Sequence, residues 1–89
     1  MQFEWDEAKR RANLAKHGLD FLDAVGLFAA PYMAERTRTV NGEERHLAVG
    51  VVQQEFVTVV FVYRNDRIRL ISMRRSRRAE RRRYQALHG

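Results

Sequence analysis

Phe56-Val57-Thr58-Val59-Val60-Phe61-Val62-Tyr63, then Arg64-Asn65-Asp66, then Arg67-Ile68-Arg69-Leu70-Ile71-Ser72-Met73-Arg74 is the stretch that decides the fold. The first run is apolar at odd and even positions alike, which fits a central strand covered on both sides. Asn65-Asp66 reads as a tight turn, because both residue types tolerate positive φ. The last run alternates and predicts a half-buried strand with Ile68, Leu70 and Ser72 on one face. The three pieces predict an antiparallel hairpin, with Arg64 beside its turn and Arg74 at its far end.

Toward the N-terminus, Asn41-Gly42 is a strong hairpin signal and joins a strand near 33–40 to one near 44–52. Before Pro31 the apolar period lengthens to that of a helix. Phe21, Ala24, Val25 and Phe28 form one stripe, on a helix opened by Asp20 with Asp23 as a short relative of a capping box. An earlier helix runs from a cap at Asp6 to about His17, and Gly18 suits the left-handed residue that ends it. Its apolar residues, Ala8, Ala12, Leu14 and Ala15, predict packing by close approach rather than by bulk. Phe3 and Trp5 alternate with polar neighbours and allow a short first strand. Toward the C-terminus, Ser76 is expected to cap a helix over roughly 77–87. Its apolar face is little more than Tyr84 and Leu87, with Glu80 and Tyr84 expected to form a hydrogen-bonded pair. Such a helix is expected either to be ordered by a partner or to be mobile. The fold class is α+β in a single domain, 1–89. Two N-terminal helices pack on a mainly antiparallel four- to five-stranded sheet, with a C-terminal helix.

The chain has 89 residues, and a chain of that length buries only roughly 60% of the surface its unfolded form exposes. It has no cysteine, so disulfides and thiolate chemistry are excluded. No apolar run nears the roughly 18 residues of a membrane span, and the acidic, amphipathic start is wrong for a signal peptide. A soluble, cytoplasmic protein with no membrane association is expected. The net charge is +6, and its distribution matters more than its size. Residues 1–63 are close to neutral. Beyond them, Arg64, Arg67, Arg69, Arg74, Arg75, Arg77, Arg78, Arg81, Arg82 and Arg83 face only Asp66 and Glu80. Arginine without lysine points past solubility, because the guanidinium fork grips phosphate in bidentate fashion and stacks on bases. An anionic partner is implied, either nucleic acid or an acidic protein.

There is no phosphate-cradling glycine loop, no zinc-ligand spacing and no nucleophile elbow. His17, His46 and His88 are far apart and the carboxylates are scattered, so neither a metal nor a cofactor is expected. RNA cleavage remains accessible, because the substrate brings its own 2′-hydroxyl nucleophile. Arginine can neutralise the charge that develops on the phosphate, and histidine, tyrosine or a carboxylate can move protons. His17 is either a helix-terminal cation favoured by the dipole or a proton-transfer group. His46 reads as a cross-strand or surface residue, and His88 as a poorly ordered one. Tyr63 is either core or a base-stacking platform.

The chain resembles the BrnT family of type II toxins over essentially its whole length. The resemblance rests on Phe3-Glu4-Trp5-Asp6-Glu7-Ala8-Lys9, Asn13-Leu14-Ala15-Lys16-His17-Gly18-Leu19-Asp20-Phe21, Gly42-Glu43-Glu44-Arg45-His46, and Arg67 through Arg75 followed by Glu80-Arg81 and Tyr84. It implies a RelE-like fold and a metal-independent endoribonuclease that inhibits translation. It also implies a BrnA-type antitoxin in a dimeric 2:2 assembly, which meets operator DNA only through the antitoxin. His17, Arg64 and Arg74 match family positions and are the catalytic candidates. Lys16, Tyr63, Arg67, Arg69, Arg75, Arg78, Arg81 and Tyr84 are the candidate RNA-binding residues. Val62-Tyr63 stands where family members often carry a threonine and an acid, which puts any proton transfer by that acid in doubt. The alternatives are a non-catalytic arginine-rich binding module and a degenerate toxin that retains only antitoxin binding.

Overall fold

Three tight turns organise the sheet in the computed structural model, which describes residues 2–88. Both residues of each turn have positive φ: Asn41 and Gly42 at 50° and 79°, Gln53 and Gln54 at 50° and 69°, Asn65 and Asp66 at 51° and 62°. Two-residue turns with positive φ at both positions match the right-handed twist of the strands they join. Asn-Gly and Asn-Asp announce themselves in sequence. Gln53-Gln54 does not, since glutamine seldom adopts this conformation; the pairing of the long apolar strands on either side imposes it.

The elements run β1 (Gln2–Trp5), α1 (Glu7–His17), α2 (Phe21–Ala29), β2 (Met33–Val40), β3 (Glu43–Val52), β4 (Glu55–Arg64), β5 (Arg67–Arg75) and α3 (Arg78–His88). They form a five-stranded mixed sheet in the order β1-β5-β4-β3-β2, with β1 parallel to β5 and the other pairs antiparallel. The α+β class is as expected, and the doubly apolar β4 sits at the centre of the sheet.

One face carries the main core. Val57, Val59 and Phe61 of β4, Ile68, Leu70 and Met73 of β5 and Ala48 of β3 meet Phe21, Ala24 and Leu27 of α2. The buried stripe of α2 is therefore Phe21, Ala24 and Leu27, not the expected Phe21, Ala24, Val25 and Phe28; Val25 is 39% exposed. The roll lets Leu27 settle on Gly50, where an added Cβ would lie 2.7 Å from Leu27 Cγ. Phe28 instead flanks the core, 5.2 Å from Phe61 between ring centroids.

Asp6 and Gly18 cap α1 as expected: the Asp6 carboxylate accepts from the Ala8 and Lys9 amides, and Gly18 has φ 68°. The helix itself docks by polar contacts. Its only buried residue is Asn13. β1 pairs with β5 only from Arg67 to Leu70, so the β5 edge is open beyond that point. The Asn13 side-chain amide takes the place of the missing strand. Its Nδ2 donates to Met73 O at 2.8 Å, and Met73 N donates to its Oδ1 at 3.1 Å. A second donation to Leu19 O at 3.2 Å holds the α1–α2 connection.

A bulge in β5 corrects a further expectation. Val60 pairs with Ser72 and Phe61 with Leu70, which leaves Ile71 as the extra residue. The bulge inverts side-chain alternation beyond it. Ser72 and Arg74 therefore face away from Ile68 and Leu70, and Met73 joins the core instead.

α3 lies across part of the second face. Tyr84 packs on Met33, Leu47 and Val49, with its ring 5.5 Å from that of Phe56. His88 closes the helix, with its ring 4.8 Å from Tyr84 and Nε2 3.1 Å from Tyr32 O. The helix that looked too polar to hold itself is thus anchored within the chain, and His88 is placed rather than loose.

Candidate nucleic-acid interface

The strongest anchor of α3 is a carboxylate. Glu80 is buried, and its oxygens accept from Arg74 Nη1 and Nη2, both at 2.8 Å, from Thr58 Oγ1 at 2.9 Å and from the Arg77 amide at 2.7 Å. Thr58 is itself buried, and its hydroxyl lies 2.8 Å from that of Ser76. Two expectations are corrected here. Ser76 bonds Thr58, while Glu80 reaches back to the Arg77 amide as the third helical residue of a capping box does. Glu80 pairs with Arg74, and Tyr84 packs on hydrocarbon. The Arg74 guanidinium pulls the Glu80 carboxyl down to about 2, aided by the Arg77 amide and Thr58 against the opposing effect of burial. At neutral pH Glu80 is an anchored anion and a poor proton acceptor.

Beside this anchor a cleft of about 620 Å³ opens between the sheet and α3, lined by Thr37, Arg38, Arg45, Leu47, Val60, Ser72, Arg74, Arg77, Glu80 and Arg83. Arg74 is held by Glu80, and Arg83 by Glu35 at 2.8 Å. Arg38, Arg45 and Arg77 have no ion-pair partner among the described residues. An irregularity in β2 between Arg36 and Thr39 sets Thr37 and Arg38 against Arg45, and Thr37 Oγ1 donates to Arg45 O at 3.2 Å. Juxtaposed like charges cost stability across a strand pair. Three guanidinium groups without ion-pair partners among the described residues, on one cleft, can together accept an anion.

The structure does not bring the three catalytic candidates together. Arg74 lines the cleft. Arg64 shares its face of the sheet but sits at the turn, paired with Glu43 at 2.7 Å. Arg74 is opposite Thr58, and positions 58 and 64 are roughly 20 Å apart along a strand at about 3.3 Å per residue. His17 ends α1 on the other side of the sheet, where its carbonyl accepts from Arg75 at 2.7 Å.

The RNA-binding candidates scatter likewise. Arg69 is paired with Glu4 at 2.6 Å and Arg75 with Glu55 at 3.3 Å, while Lys16 and Arg67 are exposed. Tyr63 lies on the α2 side against His46 and Phe61, away from Arg64 and the cleft. Arg78 and Arg81 face outward from α3, and Tyr84 is part of its packing.

Sequence reading passed over Arg38, Arg45 and Arg77. A signal for the first two was present: in a regular hairpin around Asn41-Gly42, residues 38 and 45 stand opposite each other. Among the described residues, no three His, Asp or Glu side chains gather as a metal site, and no helix is long and apolar enough to cross a membrane.

A family model described as the ribonuclease toxin BrnT of type II toxin–antitoxin systems matches residues 5–80. A search of curated proteins returned no match.

Proposed function

The chain belongs to the BrnT family of ribonuclease toxins of type II toxin–antitoxin systems, and from that premise we propose that its arginine cleft is a metal-independent endoribonuclease site. The observation that carries this reading is the convergence of Arg38, Arg45, Arg74, Arg77 and Arg83 on one cleft, three of them without an ion-pair partner among the described residues.

In the proposed reaction the substrate's 2′-oxygen attacks the adjacent phosphorus. The bond to the 5′-oxygen breaks, and the products are a 2′,3′-cyclic phosphate and a 5′-hydroxyl. Arg38, Arg45 and Arg77 bind the phosphate and neutralise the charge that builds on its oxygens. Arg74, fixed by Glu80, supplies a guanidinium whose position does not change on binding. No imidazole lines the cleft, so water carries the proton from the 2′-hydroxyl and returns one to the leaving oxygen.

Membership of a type II family implies an antitoxin protein as partner. We place a BrnA-type antitoxin over the cleft in a 2:2 assembly that reaches operator DNA through the antitoxin. Cytoplasmic messenger RNA is the proposed target and translation the process inhibited.

The test is incubation of the purified protein with RNA in EDTA. Cyclic-phosphate ends are expected. Arg38→Ala combined with Arg45→Ala should slow cleavage about 10²–10³-fold, while His17→Gln should leave it within a few-fold. Intact RNA, together with no growth arrest on expression without antitoxin, would overturn the reading. A second reading has its own support, because no imidazole lines the cleft and its one carboxylate, Glu80, is tied to Arg74. On that reading the cleft binds RNA without cutting it, and the same incubation shows binding but no new ends.

A further inference from the structure

The outward side of α3 carries Arg78, Arg81 and Arg82 with Gln85, which line a depression of their own and none of which lines the cleft. Spacings of three and four residues put them on one helical face. The opposite side presents Glu80 and Tyr84 to the sheet. Glu80 is the only acid in α3 and points inward, so the outer face has no carboxylate of its own. None of the three arginines has an ion-pair partner among the described residues.

Two electrostatic costs weigh against this arrangement in isolation. Cations three and four residues apart repel one another along a helix. Arg78 and Arg81 also occupy the N-terminal end of the helix, where the dipole disfavours positive charge and an acid would stabilise. A face that served solubility alone would place these charges at the other end. The stripe is also continuous with neighbouring cationic surface. Arg77, adjacent to Arg78 in the chain, lines the cleft. Arg81 also borders a groove of about 440 Å³ shared with Gln54, Ser76 and Arg75, the last paired there with Glu55 at 3.3 Å.

We propose that the outer face of α3 is a second RNA-binding surface, which grips the phosphate backbone of the strand after it leaves the cleft past Arg77. The proposal rests on the cleft being an RNA site. It names the substrate class more narrowly: single-stranded RNA longer than the cleft can hold. The stripe supplies affinity and takes no part in bond exchange.

The experiment uses the full chain and fully 2′-O-methylated RNA, which lacks the attacking hydroxyl and stays intact, so binding is read apart from cleavage. Affinity is measured against salt concentration for a long strand and for a short one of about four nucleotides. Each phosphate contact to a single strand contributes about 0.7 to the slope of log affinity against log salt. The triple variant Arg78→Gln, Arg81→Gln, Arg82→Gln should therefore lose about 2 from the slope with the long strand. Its affinity for the long strand should fall at least tenfold, while binding of the short strand stays unchanged. Arg82→Gln alone, an exposed change, should lose about 0.7 of slope, and serves if the triple variant does not fold.

An unchanged slope with the long strand overturns the proposal, even where the wild type cuts RNA well. Loss of antitoxin binding with RNA binding untouched overturns it equally, and assigns the stripe to an acidic protein. Reduced slope in a chain that never cleaves RNA upholds the stripe and rejects the catalytic reading of the cleft. Failure of the wild type to bind any RNA rejects both.

Discussion

Where α2 covers the sheet, Phe21, Ala24 and Leu27 meet Val57, Val59, Phe61 and Met73, and the contact is almost entirely hydrocarbon. On the α3 side, Met33, Leu47 and Val49 make a small apolar patch, and the helix is held beside it by one buried carboxylate with four donors. The two sides of a single sheet thus solve the same docking problem with different physics. Apolar burial is non-directional and tolerates some sliding. A bidentate arginine–carboxylate pair is directional and fixes orientation. The second solution suits a side that must hold arginines in register around an open cleft. The first suits a side that only has to stay closed.

The largest effect expected from breaking this contrast is on the apolar side. Phe21→Ala should cost about 3–5 kcal/mol of folding stability, read by chemical denaturation, and little of it should depend on pH.

On the other side the comparable change is Glu80→Gln, and its cost should depend strongly on acid. The Glu80 carboxyl is lowered to about 2 from an ordinary value of 4.5. A carboxyl depressed by folding contributes stability above its unfolded value and loses it as pH falls toward the folded one. The contribution is about 3 kcal/mol at neutral pH, fading between about pH 4.5 and 2. Stability curves of wild type and Glu80→Gln should therefore converge in that window. Parallel curves would show that Glu80 is not the electrostatic anchor of α3.

A smaller effect tests the sheet edge between the two sides. Asn13→Ala removes three hydrogen bonds, to Met73 N, Met73 O and Leu19 O. It should cost about 2 kcal/mol, with faster amide exchange at Met73 as the specific sign. The smallest effect on stability belongs to the cleft. Arg38→Ala should leave folding within about 0.5 kcal/mol, and relief of repulsion from Arg45 makes a slight gain the expected direction. A loss above 1 kcal/mol would mean that Arg38 serves the fold rather than an anionic ligand.

Much of this was legible from residue order because it depends on neighbours in the chain. Asn41-Gly42 and Asn65-Asp66 made their turns through their tolerance of positive φ. Asp6 and Gly18 bounded α1 through capping. The doubly apolar run from Phe56 to Val62 became the central strand. The family motifs pointed to a ribonuclease toxin.

Tertiary structure alone decided which of these groups meet. One extra residue, Ile71, turned Ser72 and Arg74 to the side opposite Leu70, and strand alternation read from sequence contains no mark of such an insertion. Register set Arg38 against Arg45, and the docking of α3 brought the preceding Arg77 to the same cleft, while His17 was left beyond the sheet. Glu80 found Arg74 and Thr58 instead of its neighbour Tyr84, because a buried carboxylate goes where the most donors converge. Capping and turn formation are local and can be read along the chain. Charge convergence is set by strand order and register, which emerge only when distant segments pair.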